Sequence, residues 1–122
     1  MNKVAVLIPC YNEEKTILGV VTEFKSVLPE AIIYVYDNNS TDNTHKIAKE
    51  AGAVVRKEEY QGKGNVIRRM FSDIEADIYL VVDGDMTYDP SVAQIMVDKL
   101  TDDNLDMVIC ARSEVSRLAY RS

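Results

Sequence analysis

The stretch VAVLIP, Val4 to Pro9, decides the fold class. It is an apolar run of strand length, with no polar residue to mark a solvent-facing side. A strand with one face in water would alternate apolar and polar residues, whereas a strand of a parallel sheet that is covered on both faces stays apolar throughout. The run therefore predicts a buried strand in a sheet with helices on both faces.

Short β-rich runs alternate with helical patterns along the rest of the chain. The predicted strands are 4–9, 31–37, 53–59, 78–85 and 106–112, and the predicted helices are 16–28, 42–51, one that opens at QGKGN (61–65) and one that opens at Pro90. Ser40 or Thr41 is expected to cap the second helix and Gly52 to end it. The more polar third strand is expected at an edge. This order predicts an α/β fold with a mostly parallel, twisted, Rossmann-like sheet and helices on both faces.

The composition restricts the function classes. The chain has 122 residues, 47% hydrophobic and 28% charged, which fits one compact domain. A net charge of −6 disfavours binding to phosphate backbones, so no nucleic-acid partner is expected. Cys10 and Cys110 are interpreted as reduced residues of a cytoplasmic protein, and with a single His they match no zinc pattern. No apolar run approaches the roughly 18 residues of a membrane span, and the N-terminus is interpreted as a strand rather than a signal peptide.

The polar loops follow the ends of the predicted strands. CYNEE (10–14), DNNSTD (37–42), YQGKG (60–64) and DGDMTYD (83–89) come after the first, second, third and fourth strands, respectively. Ligands of open α/β sheets bind outside the carboxyl ends of the strands. Four polar loops at one edge therefore predict a ligand site there.

Asp83 and Asp85 follow the apolar residues of the fourth strand and are separated by Gly84. Two carboxylates about 5 Å apart repel each other by roughly 3 kcal/mol at an effective dielectric constant of about 20, so they lie in open water or share a cation. Gly84 lets the backbone turn so that both carboxylates face one point. Mg²⁺ and Mn²⁺ bind such carboxylates together with water and phosphate oxygens. The pattern favours a metal site at Asp83 and Asp85 over a solvated acidic turn.

Gly62, Lys63 and Gly64 precede a predicted helix. The free N–H groups of a helix N-terminus attract phosphate, and Lys63 adds a positive charge. The segment matches neither a P-loop nor the glycine fingerprint of dinucleotide-binding folds. We interpret it as a diphosphate contact; the alternative is a loop with a solvated lysine.

Asp37 ends the second strand, and Pro9, Tyr11 and Glu13 lie around the end of the first. A carboxylate at position 37 can accept a hydrogen bond from a ribose hydroxyl or a base N–H. An aromatic ring with polar neighbours can hold a nucleobase. For Asp37 the alternative is turn chemistry, and the ligand-facing interpretation is favoured. For the loop after the first strand the alternative is the cap region of the first helix, and the two roles are compatible.

Four further polar residues are interpreted as structural. Asn38, Asn39 and Asp42 are expected to serve as turn and cap residues, because their side chains readily bond the local backbone. His45 falls within a predicted helix and is expected to be exposed, with no catalytic role.

Together these motifs resemble the family 2 inverting glycosyltransferases of the GT-A fold, and most of all their dolichol- or polyprenol-phosphate sugar synthase-like branch. The resemblance runs from Val4 to Arg112 through VLIPCYNEEKTI, VYDNNSTDNT, GKGNVIRRM and YLVVDGDMTYDP, in that order. It implies the nucleotide-sugar-binding half of such an enzyme. The implied donor is a UDP- or GDP-linked nucleoside diphosphate sugar with Mg²⁺ or Mn²⁺, and the implied acceptor, attacked with inversion, is a polyprenyl phosphate or a saccharide.

On the nucleoside side, the resemblance implies that Pro9, Tyr11 and Glu13 lie around the base and ribose. It implies that Asp37 bonds the base.

On the phosphate side, the resemblance places Lys63 near the nucleotide and its phosphates. Asp83 and Asp85 would form the metal motif that holds the diphosphate, with Asp83 also counted among the nucleotide-binding residues. The resemblance identifies no general base in this chain.

Members of this family are considerably longer. We therefore expect residues 1–112 to form the nucleotide-sugar-binding domain and 113–122 to be a basic tail that begins an acceptor half. Arg112 and Arg117 fall where related synthases use arginines for phosphate contacts. A lipid-phosphate acceptor would bring the protein to the cytoplasmic membrane face as a peripheral protein. A sheet edge without its acceptor half would favour a homodimer.

Two other functions stay open on the sequence. One is a truncated glycosyltransferase domain that binds nucleotide without turnover. The other is a haloacid dehalogenase-like phosphatase, because VVDGDMT (81–87) fits its motif with Asp83 as nucleophile and Asp85 as acid and base. Against the second, that motif normally opens its domain, and here three predicted βα units precede it.

Overall fold

The sheet is parallel throughout its described length. The computed structural model describes residues 3–59, 62–82, 98 and 107–110, and for 63, 65, 67, 71 and 107–110 it describes the backbone. In chain order the elements are β1 Val4–Cys10, α1 Ile17–Val27, β2 Ile32–Asp37, α2 Thr44–Glu50, β3 Val54–Lys57, α3 Lys63–Asp73, β4 Ile78–Val82 and β5 Met107–Cys110. The strands are ordered β3-β2-β1-β4-β5, and each neighbouring pair is parallel. The predicted α/β fold is confirmed.

Strand β1 lies in the middle of the sheet and is buried on both faces. Val6 and Ile8 belong to the apolar cluster that includes α1 and α2. Ala5 and Leu7 belong to a second cluster, formed with α3. Because successive side chains of a strand point to opposite faces, a continuous apolar sequence supplies both layers at once. The prediction made from VAVLIP is confirmed.

Helix α1 packs on the sheet through the stripe that its apolar spacing predicts. Ile17, Val20, Val21 and Phe24 are fully buried, at the i, i+3, i+4 and i+7 positions that share one face of a helix. The helix ends at Val27, two residues before Pro29. The predicted helix boundaries are therefore correct to within a residue at each end.

The predicted start of α2 is wrong. The helix begins at Thr44 rather than Asp42, and its N-cap residue Asn43 makes no side-chain capping hydrogen bond in the described part of the chain. Ser40 and Thr41, the expected caps, bond instead to the loop after β1. Gly52 does follow the helix as predicted, with a φ of 98° that suits glycine.

The strand order reverses at β1. The chain moves from β1 outwards through β2 to β3, which is the predicted edge strand, and then returns to place β4 on the other side of β1. In open α/β sheets the crevice at such a reversal, outside the carboxyl ends of the strands, is where ligands bind. Most of the predicted fourth helix lies outside the described residues; Asp98, within it, is helical.

Truncating Phe24 should destabilise the fold strongly. Phe24 is fully buried between α1 and the sheet, whereas Leu18 on the same helix is 54% exposed. We expect Phe24→Ala to lower the free energy of unfolding by about 3–5 kcal/mol, and Leu18→Ala by less than about 1 kcal/mol. Urea unfolding of both variants measures this, and equal losses would contradict the assigned packing face.

Candidate functional site

The carboxyl ends of β1, β2 and β3 lie side by side. Cys10 pairs with Asp37, and Asp37 pairs with Lys57, so the three strands end in register. Two backbone hydrogen bonds continue the register past the strands: the Asn38 amide donates to the Cys10 carbonyl at 2.8 Å, and the Glu58 amide donates to the Asp37 carbonyl at 3.0 Å. The loops that follow β1, β2 and β3 therefore begin next to one another at the carboxyl edge of the sheet.

Asn12 connects the loop after β1 to the loop after β2. Its amide donates to Ser40 Oγ at 2.9 Å, and its Oδ1 accepts from the Thr41 amide at 2.8 Å. Its φ of 52° is in the left-handed region, which asparagine tolerates better than most residues. These bonds explain why Ser40 and Thr41 do not cap α2.

Thr44 fastens the same two loops at a second point. The residue is fully buried, and its Oγ1 accepts from the Glu13 amide at 2.8 Å while donating to Asp42 Oδ1. Asp42 Oδ2 in turn accepts from the Glu14 amide at 3.3 Å. Burial alone would raise the pKa of Asp42, but the hydrogen bonds, above all those from Thr44, outweigh it and lower the pKa. Asp42 is thus a loop-joining residue as well as the predicted turn residue.

Asp37 is buried at the end of β2. Its Oδ1 accepts from the Ser40 amide at 2.9 Å, and its Oδ2 lies 3.7 Å from His45 Nδ1. The Asp37 side chain is 4% exposed, whereas that of His45 is 48% exposed, as predicted for the histidine. The carboxylate therefore accepts a backbone amide and lies near an exposed imidazole. The sequence interpretation missed this pairing, which joins the end of β2 to the first turn of α2.

The three predicted base-side residues of the first loop differ in exposure. Tyr11 is 49% exposed and presents a large apolar ring to solvent. Glu13 is partly buried, and Pro9 is buried within β1. Of these three residues, Tyr11 is therefore the most accessible to a ligand.

Asn38 spans the loop between β3 and α3. Its side chain is buried, with Nδ2 donating to the Glu58 carbonyl at 2.8 Å and Oδ1 accepting from the Gly62 amide at 3.0 Å. Gly62 has a φ of 116°, and α3 begins at the next residue. The turn role predicted for Asn38 is incomplete, because its side-chain bonds reach a loop 20 to 24 residues away. No local pattern signals them.

A polar network lies between β2 and α3. The buried Tyr36 hydroxyl donates to Asp73 Oδ2 at 2.9 Å, and Arg69 Nε donates to the same oxygen at 3.0 Å. Burial and the adjacent Asp73 raise the pKa of Tyr36. Burial alone would raise the pKa of Asp73, but hydrogen bonds from Arg69 and Tyr36 lower it overall. The network links β2 to α3.

Several predicted site residues lie outside the described residues. These are Asp83 and Asp85, the side chain of Lys63, and the tail arginines Arg112 and Arg117. Strand β4 ends at Val82, whose backbone pairs with Cys110. Within the described ranges, no group of three or more His, Cys, Asp or Glu side chains could hold a metal ion.

In the part of the chain that the structure describes, no helix has the length and apolar character needed to span a bilayer.

Comparison with known proteins identifies the family. The family model described as "Glycosyl transferase family 2" matches residues 5–119. The chain belongs to glycosyl transferase family 2. This membership does not favour the phosphatase interpretation of Asp83, and it agrees with the resemblance seen in the four loops.

Two curated relatives and one solved structure describe the similarity. Protein RfbJ of Shigella flexneri is 57% identical over 111 residues, which cover 91% of this chain and 86% of that protein. A dolichol-phosphate mannosyltransferase of Pyrococcus furiosus is 27% identical over 105 residues, covering 80% of this chain and 30% of that protein. Glucosyl-3-phosphoglycerate synthase of Mycobacterium tuberculosis, solved with Mg²⁺ and UDP, superposes with a TM-score of 0.73 at 26% identity, covering 81% of this chain and 39% of that one. This family 2 chain therefore has the GT-A fold and spans well under half of the two longer proteins.

Removing the Thr44 hydroxyl should destabilise the joined loops. Thr44→Val keeps the shape of the side chain but removes the acceptor of the Glu13 amide and the donor to Asp42, so we expect a loss of about 1–3 kcal/mol in the free energy of unfolding. The exposed Thr22, whose hydroxyl donates to the Leu18 carbonyl within α1, provides the control Thr22→Val, with a loss below about 0.5 kcal/mol. Urea unfolding measures both, and similar values for the two variants would argue against the loop-joining role.

The stability that Asp73 provides should disappear in acid. Because its pKa is lowered in the folded protein, the ionised form stabilises the fold above the unfolded pKa of about 4, and this contribution is lost as the pH falls through the folded pKa. The difference in unfolding free energy between wild type and Asp73→Asn should therefore be largest at neutral pH and shrink below about pH 4. Ser72→Ala, which removes no titratable group, is the control. A pH-independent difference for Asp73→Asn would contradict the assignment.

Proposed function

We propose that this chain is the donor-binding domain of a glycosyltransferase, and that it binds a UDP- or GDP-linked nucleoside diphosphate sugar together with Mg²⁺ or Mn²⁺. The observation that carries the proposal is the in-register end of β1, β2 and β3 beside the strand-order reversal, with their loops bonded to one another. Family membership supplies the class of ligand for that edge.

The nucleoside would bind over the loops after β1 and β2. Asp37 provides a carboxylate whose orientation is fixed by the Ser40 amide, and this carboxylate would accept a hydrogen bond from the base. The half-exposed ring of Tyr11 offers a stacking surface. Glu13 would lie near the ribose, and Pro9, within β1, would lie beside the nucleoside.

The diphosphate would bind between the end of β4 and the start of α3. Asp83 and Asp85, which follow β4, would hold the divalent metal, and Lys63 would contribute its charge from the first turn of α3. When bound, the metal would neutralise charge on the departing nucleoside diphosphate. The M. tuberculosis relative supports this assignment, because it was solved with Mg²⁺ and UDP and also with Mn²⁺, UDP-glucose and phosphoglyceric acid.

The acceptor would be a polyprenyl phosphate or a saccharide, attacking with inversion. The name of the P. furiosus relative supports a lipid phosphate, and such an acceptor would imply peripheral contact with a cytoplasmic membrane face. We assign the donor site to residues 1–112 and the start of an acceptor region to 113–122. A homodimer is the association we propose for the sheet edge.

The metal assignment is tested by removing its carboxylates. Asp83→Ala and Asp85→Ala should each weaken binding of UDP or GDP with Mn²⁺ by at least about tenfold, or roughly 1.4 kcal/mol, and leave binding in EDTA unchanged. Glu75→Ala, an exposed acid that precedes the amino end of β4, is the matched control. Calorimetric titration of all four proteins, with circular dichroism to verify folding, decides the question. An unchanged affinity for the nucleotide with Mn²⁺ in both Asp variants would contradict the metal assignment.

The proposed contact between Asp37 and the nucleobase predicts a different dependence of binding on the metal. Asp37→Ala should weaken nucleotide binding by about tenfold both with Mn²⁺ and with EDTA, because a contact to the nucleobase does not depend on the metal.

Transfer or hydrolysis of a bound donor sugar by the purified chain would establish turnover. Binding without turnover would identify a donor-binding domain that is not catalytic by itself.

A further inference from the structure

The Asn38 side chain holds both ends of the loop that precedes α3. Its Nδ2 donates to the Glu58 carbonyl at 2.8 Å, and its Oδ1 accepts from the Gly62 amide at 3.0 Å. Glu58 follows β3 and Gly62 precedes the first residue of α3, so the two bonds hold the end of β3 close to the start of α3. A single buried amide therefore fixes the distance between the end of β3 and the start of α3.

The backbone of Asn38 is fixed as well. Its amide donates to the Cys10 carbonyl at 2.8 Å, which joins it to the central strand β1. Asp37, the carboxylate assigned to the base, is the preceding residue. The same few atoms thus connect the ends of β1, β2 and β3 to the N-terminus of α3.

These bonds determine which amides of α3 can meet a ligand. The Gly62 amide is already used by Asn38, and the backbone hydrogen bonding of α3 starts with the Val66 amide donating to the Gly62 carbonyl at 3.3 Å. The amides of residues 63–65 have no acceptor inside the helix, as in the first turn of any α-helix. An anion at this end would therefore bind beside Lys63, at a distance from Asp37 that Asn38 sets.

We propose that Asn38 is a positioning residue for the nucleoside diphosphate, which sets the spacing between the base contact at Asp37 and the phosphate contact at the start of α3. This inference rests on the proposed function. We expect Asn38 to act without contacting the ligand, through its hydrogen bonds to the Gly62 amide and the Glu58 carbonyl. Its removal should therefore affect recognition of the second phosphate more than recognition of the nucleoside monophosphate.

The test compares two ligands and three variants. Asn38→Ala removes both side-chain bonds, and Asn38→Asp keeps an acceptor for the Gly62 amide while losing the donor to Glu58. Asn43→Ala is the matched control, since Asn43 lies in the same loop and its side chain makes no capping bond. The measured quantities are the dissociation constants of UDP and of UMP, each with Mn²⁺.

We expect Asn38→Ala to weaken UDP binding by about tenfold and UMP binding by less than about threefold, so that the preference for UDP falls. Asn38→Asp should retain more of that preference, and Asn43→Ala should retain all of it. Equal losses for UDP and UMP, or an unchanged UDP affinity in Asn38→Ala, would overturn the proposal.

A ligand-free measurement separates this inference from the proposed function. Amide hydrogen exchange at Gly62 should be slow in the wild type and faster in Asn38→Ala, with no change in Asn43→Ala. Failure of the wild type to bind UDP with Mn²⁺ would count against the proposed function, and hydrogen exchange would then decide on the positioning role of Asn38. Unchanged exchange at Gly62 in Asn38→Ala would overturn that role as well.

Discussion

Burial of β1 on both faces is the constraint on which the rest of this structure depends. Its alternating side chains supply two apolar clusters, one with α1 and α2 and one with α3. Neither layer of helices could pack without it. Because β1 is central and parallel to β2 and β4, its carboxyl end fixes where the neighbouring loops begin. The location of the candidate site is thus a consequence of the core.

Side chains between the end of β2 and the first turn of α2 accept hydrogen bonds from the amides of other loops. Ser40 and Thr44 accept from the amides of Asn12 and Glu13, and Asn38 reaches the loop before α3. Each bond gives a loop amide a partner it would otherwise have to find in water. The result is a set of loops whose mutual spacing is defined before any ligand binds, which lowers the ordering cost of binding.

The sequence predicted the parts of this fold that depend on periodicity. The strands and α1 follow from the spacing of apolar residues, and the edge position of β3 follows from its more polar composition. It could not predict the partners of Asn38, Ser40 or Thr44, because a polar side chain that bonds its own turn and one that bonds a distant loop look the same in sequence. The Tyr36–Asp73 bond, across 37 residues, depends on how α3 crosses the sheet. The roles of Asp83, Asp85 and Lys63 stay predictions, supported by family membership and by the ligands of a similar solved structure.

The electrostatics of this edge set a requirement for the anionic ligand that we propose. The net charge is −6, and acids are frequent in the loops that would surround a diphosphate. Three of these carboxylates, those of Asp37, Asp42 and Glu14, each accept a backbone amide. Amide dipoles thus offset part of their charge, without supplying a cation. The diphosphate proposed for this edge would therefore need positive charge from the start of α3 and from a metal, so the affinity for the proposed donor would depend on the placement of the α3 N-terminus.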